Sequence, residues 1–83
     1  MARVTVSFMS SFRPALGGAE SLDIEANTLR ELMRNLLEQY PRFQHHLDEG
    51  IAIAINGEIY RDNWNVEIQD GSEVFLLSRI QGG

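Results

Sequence analysis

Hydrophobic and polar positions alternate strictly from Arg3 to Phe8, with Val4, Val6 and Phe8 set against Arg3, Thr5 and Ser7. A period of two is the mark of a strand buried on one face. Met9 to Ala19 breaks the pattern with Pro14 and the pair Gly17-Gly18, so it reads as a long loop. Alternation returns at Ser21 to Ile24, where Leu22 and Ile24 share a face. From Thr28 the period changes. Leu29, Leu32, Met33, Leu36, Leu37 and Tyr40 recur at helical spacing. Thr28 and Glu31 form a capping box that satisfies amide donors at the helix start, and Pro41 ends the helix. Phe43 and Leu47 are spaced to anchor one further short helical turn.

Beyond the helix, Ile51, Ile53 and Ile55 oppose Ala52 and Ala54 in a third strand. Asn56-Gly57 is a hairpin turn signal, since both residues tolerate positive φ. A short strand over Glu58 to Tyr60 follows. Arg61 to Gln69 gives partial alternation through Trp64, Val66 and Ile68 and reads as ambiguous, with Trp64 as a core or rim anchor. Asp70-Gly71 is another turn, and Val74 to Leu77 is a wholly apolar strand. Two strands, one long helix and two or three further strands predict an α+β domain, a mixed sheet of four to five strands with one main helix on one face. The first and last strands are the most apolar, so they belong in the centre.

Composition narrows the function. The 83 residues make one domain, spanning 1–83, and 43% of them are hydrophobic, enough for a small core. A core of this size stabilises by only about 3–5 kcal/mol net, and so little chain makes an enclosed catalytic cleft hard to build. Seven Arg, no Lys and twelve acidic residues set the net charge at −5. Such a domain repels phosphate backbones and anionic lipid, so nucleic-acid and membrane partners are not expected. There is no Cys, hence no thiolate nucleophile and no thiolate metal ligand on the chain. No apolar run is long enough to span a bilayer and the N-terminus is not a signal peptide, which predicts a cytoplasmic protein.

His45-His46 lacks a second ligand cluster, and adjacent histidines on a short helix are expected to point apart, so the pair reads as a solvated polar turn. Phe12 and Leu16 either tuck under the sheet edge or touch a partner. Phe75 and Leu77 are sharper. With Val74 and Leu76 facing the helix, period two places them on the opposite face, among Thr5, Ser7, Ala52 and Ala54. An aromatic and a leucine among small residues form an exposed apolar patch of the kind that marks interaction sites.

The sequence ends on Gly82-Gly83. Neither residue carries a Cβ, so such a tail can thread a narrow channel. With Val4 to Phe8, the helix from Thr28 to Tyr40, Ile53 to Gly57, the turn Asp70-Gly71-Ser72-Glu73-Val74 and the ending Gln81-Gly82-Gly83, the chain resembles the ThiS/MoaD family of ubiquitin-like sulfur carriers. The stretch Arg13-Pro14-Ala15-Leu16-Gly17-Gly18 looks more like the MoaD-type and cysteine-pathway members, and Ser78-Arg79 stands where many relatives have proline.

The resemblance implies a β-grasp fold whose first and last strands are adjacent and parallel, with residues 78–83 as a flexible tail. It also implies a carrier that is not itself an enzyme. In that scheme a ubiquitin-activating-like adenylyltransferase uses ATP to adenylate the Gly83 carboxylate, next to Gly82. A desulfurase- or rhodanese-type protein then supplies sulfur, and the thiocarboxylate donates it toward molybdopterin, thiamine or a related product, in some members through a MoaE-like partner. Phe75, Leu77, Arg79, Ile80 and Gln81 become the expected partner surface, with no cofactor resident on the chain. The alternative is a ubiquitin-like modifier that forms isopeptides through Gly83.

Overall fold

The computed structural model describes residues 2–61 and 63–79. Five strands, β1 (Arg3–Phe8), β2 (Ser21–Glu25), β3 (Ile51–Ile55), β4 (Glu58–Tyr60) and β5 (Glu73–Ser78), form one mixed sheet in the order β2-β1-β5-β3-β4. The expected α+β arrangement is present, and β1 lies parallel to β5, Val6 opposite Val74 and Phe8 opposite Leu76. The other pairings are antiparallel. The first and last strands therefore sit inside the sheet, as their apolarity requires.

Helix α1 (Leu29–Gln39) covers one sheet face with Leu29, Leu32, Met33 and Leu36, all buried. Its start uses the expected side chains with one shift. Thr28 Oγ1 accepts from the Glu31 amide at 3.2 Å, but the Glu31 carboxylate accepts from the Asn27 amide at 2.7 Å, one residue before the cap. The ambiguous segment supplies the remaining acceptors. The Leu29 and Arg30 amides donate to the carbonyls of Val66 and Trp64. Residues 63–69 are thus a helix-capping strap rather than a strand, with a single bridge between Thr28 and Glu67. Ile68 is buried beneath the strap and Trp64 is half-buried at the rim.

The long β1–β2 connection is more ordered than its Pro and Gly content suggests. Ser10–Leu16 is a 3₁₀ helix, and Phe12 and Leu16 are buried. The first of the two sequence alternatives therefore holds: these side chains extend the core. A 3₁₀ turn (Pro41–Phe43) and helix α2 (Gln44–Glu49) close this pole, where the rings of Phe12 and Phe43 meet edge to face at 5.2 Å.

His46 leans on both phenylalanines, its ring 4.6 Å from Phe12 and 5.4 Å from Phe43. The two histidines do not point apart. Their ring centres are 4.0 Å from each other, with the planes tilted by 36°. His45 Nδ1 lies 2.9 Å from the Arg42 carbonyl, which can only accept, so that nitrogen carries the proton. Among the described residues no group of three or more His, Cys, Asp or Glu is placed to hold a metal. Burial, and then the neighbouring His45, push the His46 pKa below its ordinary 6.5, against a smaller opposing pull from Glu49. The fold therefore favours neutral His46. The unfolded chain binds the extra proton more readily, so this contribution is present above pH 6.5 and declines as pH falls through the lowered folded value. Thermal melts between pH 8 and 5 should show the wild type losing stability on this slope and His46→Gln losing less. Parallel curves would remove His46 from the account.

Candidate functional site: the open sheet face and the root of the tail

The sheet face away from α1 carries the candidate site. Parity along β5 alternates Val74 and Leu76, both buried, with Phe75, 37% exposed, and half-buried Leu77. Across the sheet, Phe75 stands between Ser7 of β1 and Ala54 of β3, and Leu77 is paired with Ala52. This is the row predicted from the sequence, with one difference. Ala52 is only 4% exposed.

Ile59 falls outside the row expected from the sequence. It is the most exposed large apolar side chain of the described residues, at 56%, and lies opposite Ala54, next to the Phe75 row. A signal was available. Asn56 and Gly57 both take positive φ, 48° and 93°, closing a two-residue hairpin that pairs Ile55 with Glu58. Counting back from that turn sets Ile59 against Ala54, on the open side. Glu58 and Tyr60 point the other way, and the Tyr60 hydroxyl donates to the Glu58 carboxylate at 3.2 Å, which raises the Tyr60 pKa above its usual 10.0.

Phe75, Leu77, Ile59, Ala54 and Met9 line an open groove of about 700 Å³, bordered on its polar side by Thr5, Ser7, Asn56 and Glu73. The border continues to β2, where Thr5 Oγ1 donates to Asp23 at 3.1 Å. Asn56 holds the turn beside the groove by accepting from the Glu73 amide at 3.0 Å. The result is an apolar strip framed by acidic and hydroxyl groups.

The strip runs toward the end of β5, and the root of the tail is anchored there. The resemblance implies a tail over residues 78–83. The structure places Ser78 in β5, paired with Ile51, and its amide donates to the Met9 sulfur at 3.1 Å. The Arg79 amide donates to the Gly50 carbonyl at 3.1 Å. Gly50 has φ 105°, a backbone conformation that L side chains rarely adopt, and the Arg79 stem packs over the space a Cβ would occupy. The chain is thus held to the sheet through Arg79. Ile80, Gln81, Gly82 and Gly83 lie outside the described residues. A second groove of about 450 Å³ at this root is lined by Ala52, Ile59, Arg61, Leu77, Ser78 and Arg79. No helix of the described residues is long and apolar enough to cross a membrane.

The fold has well-characterised counterparts. Small archaeal modifier protein 1 from Methanosarcina acetivorans superposes with a TM-score of 0.84 at 24% identity, covering 100% of this chain and 98% of its own. The CysO complex with BexX from Amycolatopsis orientalis gives 0.80 at 23% identity, over 96% and 99%. The complex of subunits 1 and 2 of molybdopterin-converting factor from Helicobacter pylori gives 0.71 at 31% identity, over 98% and 99%. No curated protein matches the chain. Residues 6–83 match the model of the ThiS family, so nearly the whole β-grasp domain is accounted for, and the chain belongs to that family of ubiquitin-like sulfur carriers.

Proposed function

We propose that the chain is a sulfur carrier whose chemistry is confined to the Gly83 carboxylate. The observation that carries this reading is the family match extending to residue 83. It is supported by an apolar groove that runs to the anchored root of the tail. A carboxylate is a poor electrophile. Reaction with ATP on a ubiquitin-activating-like adenylyltransferase converts it to an acyl adenylate and releases pyrophosphate. Sulfur from a desulfurase- or rhodanese-type persulfide then attacks the acyl carbon and AMP leaves. Reductive cleavage of the resulting acyl persulfide, by a thiol, leaves a thiocarboxylate for onward donation. The folded domain's own part is to dock and to present the terminus.

The chain should be inert alone. With a cognate adenylyltransferase, ATP and a sulfur source, intact mass should rise by the replacement of one oxygen by sulfur, localised to the C-terminal peptide. The structural likeness to an archaeal modifier protein keeps a second reading in view, in which Gly83 forms an isopeptide with a lysine of another protein. Branched peptides on target lysines, with no thiocarboxylate, would select it.

Docking falls to the open face. Phe75→Ala removes the aromatic at the centre of the strip, and truncating such an anchor costs about 2 kcal/mol or more of binding. Adenylation at limiting partner should therefore fall by more than tenfold while the melting temperature stays close to wild type, because Phe75 lies outside the core cluster. Ile59→Ala should act in the same direction. Unfolding of the Phe75 variant would assign that ring to the core instead.

A further inference from the structure

A strand at the edge of a sheet presents a row of unpaired backbone groups, a template for one more strand. In the order β2-β1-β5-β3-β4 the two edges belong to β2 and β4. β4 is only three residues long, whereas β2 pairs with β1 without a bulge over five, from Arg3 opposite Glu25 to Ser7 opposite Ser21. Which groups of β2 face outward follows from the ladder. The Phe8 amide donates to the Glu20 carbonyl, and the Ala26 amide to the Ala2 carbonyl. In an antiparallel pair the bonded residues alternate. Leu22 and Ile24 therefore turn their amides and carbonyls toward β1, and Ser21, Asp23 and Glu25 turn theirs away from the sheet. Helix α1 meets this outward row at one end, where the Asn35 side-chain amide donates to the Glu25 carbonyl at 2.7 Å. The amides of Ser21, Asp23 and Glu25 and the carbonyls of Ser21 and Asp23 have no hydrogen-bond partner among the described residues, and all three residues are exposed.

The side chains decide what kind of strand fits. Asp23 and Glu25 lie on the open face of the sheet, level with Thr5 and Arg3 of β1, and Leu22 lies on the helix side, half-buried against the core. Arg3 stands opposite Glu25, but the residue opposite Asp23 is Thr5, which leaves the Asp23 carboxylate without a facing cation on β1. Glu20 adds an exposed carboxylate just before the strand. β2 contains neither Lys nor Pro, residues that commonly blunt an edge. A second copy of the chain is a poor occupant. Antiparallel pairing of two β2 edges centred on Asp23 sets that carboxylate against itself, and opposed like charges destabilise a strand pair. The net charge of −5 on each copy opposes their approach as well. A cationic strand meets neither penalty.

We propose that the outer edge of β2 is a docking site for an extended basic segment of another protein, which joins the sheet as a sixth strand. Main-chain bonds to Ser21 and Asp23 supply the affinity, as in other strand additions. Arginine or lysine at alternate positions meets Asp23 and Glu25 on the open face, and the apolar residues between them cover Leu22 on the helix side. β1 separates this edge from the Phe75 row on β5. The site needs nothing from Gly83, so it stands or falls apart from the carrier reading.

The probes are two capped hexapeptides, one alternating arginine with valine and the other glutamate with valine, titrated at low salt into the isotope-labelled full chain. The arginine peptide should shift the amide resonances of Ser21, Asp23 and Glu25 and slow their exchange with solvent, leaving Ile59 and Phe75 unmoved. The glutamate peptide should do neither. Asp23→Pro removes one outward donor and spares the inward bonds of Leu22 and Ile24. It should weaken the arginine peptide about fivefold or more, the worth of one main-chain hydrogen bond. Asp23→Lys keeps the whole backbone row and should erase the preference for the arginine peptide, so the test survives a proline variant that fails to fold. The proposal is overturned if the two peptides bind wild type equally or not at all, or if Asp23→Lys keeps the wild-type preference. It is equally overturned if the arginine peptide moves Phe75 and Ile59 in place of β2, or if the chain alone dimerises with protection of the same three amides.

Discussion

Deleting Gly83, or adding one residue after it, should abolish thiocarboxylate formation while leaving the melting curve unchanged. Either change leaves a terminal carboxylate of ordinary chemistry. What moves is its position, by about 3.5 Å, the advance of one extended residue. Misplacing a reacting atom by about 1 Å can cost a hundredfold in rate, so a displacement of this size should remove activity beyond detection. Stability should not respond, because the buried core ends at Leu76 and the last backbone hydrogen bond of the described residues belongs to Arg79. Gly82→Val keeps the length and tests the channel instead. A β-branched side chain restricts the backbone and adds bulk where glycine has none, so thiolation should slow without changing its endpoint. Intact-mass time courses beside calorimetric melts separate the two effects. Thiolation of the truncated or extended chain at the wild-type rate would leave the carrier mechanism without support.

Much of this architecture was legible in the residues, for local reasons. β1, β3 and α1 announce themselves by period, and Thr28, Pro41 and Asn56-Gly57 mark boundaries through caps and turns whose chemistry acts over three or four residues. The open-face position of Phe75 followed from parity once Val74 was set against the helix. What could not be read locally was settled by tertiary placement. Residues 63–69 contribute two backbone carbonyls to the start of α1, and any sequence offers carbonyls. Ser78 looked like tail because its pairing with Ile51 and its contact with the Met9 sulfur join positions far apart in the chain. The His45 ring meets that of His46, which itself leans on Phe12 and Phe43.

The segment Ser10–Leu16 supplies the strongest stability prediction. Phe12→Ala should destabilise the domain by about 3–5 kcal/mol, as large as the about 2–5 kcal/mol expected for Leu36→Ala at the centre of α1. Both side chains are buried, Phe12 at 2% exposure and Leu36 at 0%, so the comparison is between equally enclosed sites. Phe12 also stands edge to face with Phe43, at 87° between the ring planes, a pairing worth about 0.5–1.5 kcal/mol beyond area burial. Its removal opens a cavity beneath the 3₁₀ turn and α2, where the rings of Phe43 and His46 rest against it. A domain of this size commonly holds about 3–5 kcal/mol in total, so Phe12→Ala should be largely unfolded at room temperature. Phe12→Leu, which refills most of the volume, should fold. Urea denaturation of Phe12→Leu, Phe43→Leu and the double variant then gives the ring–ring coupling directly. A Phe12→Ala protein that melts within a degree or two of wild type would show that the long connection drapes over the core without belonging to it.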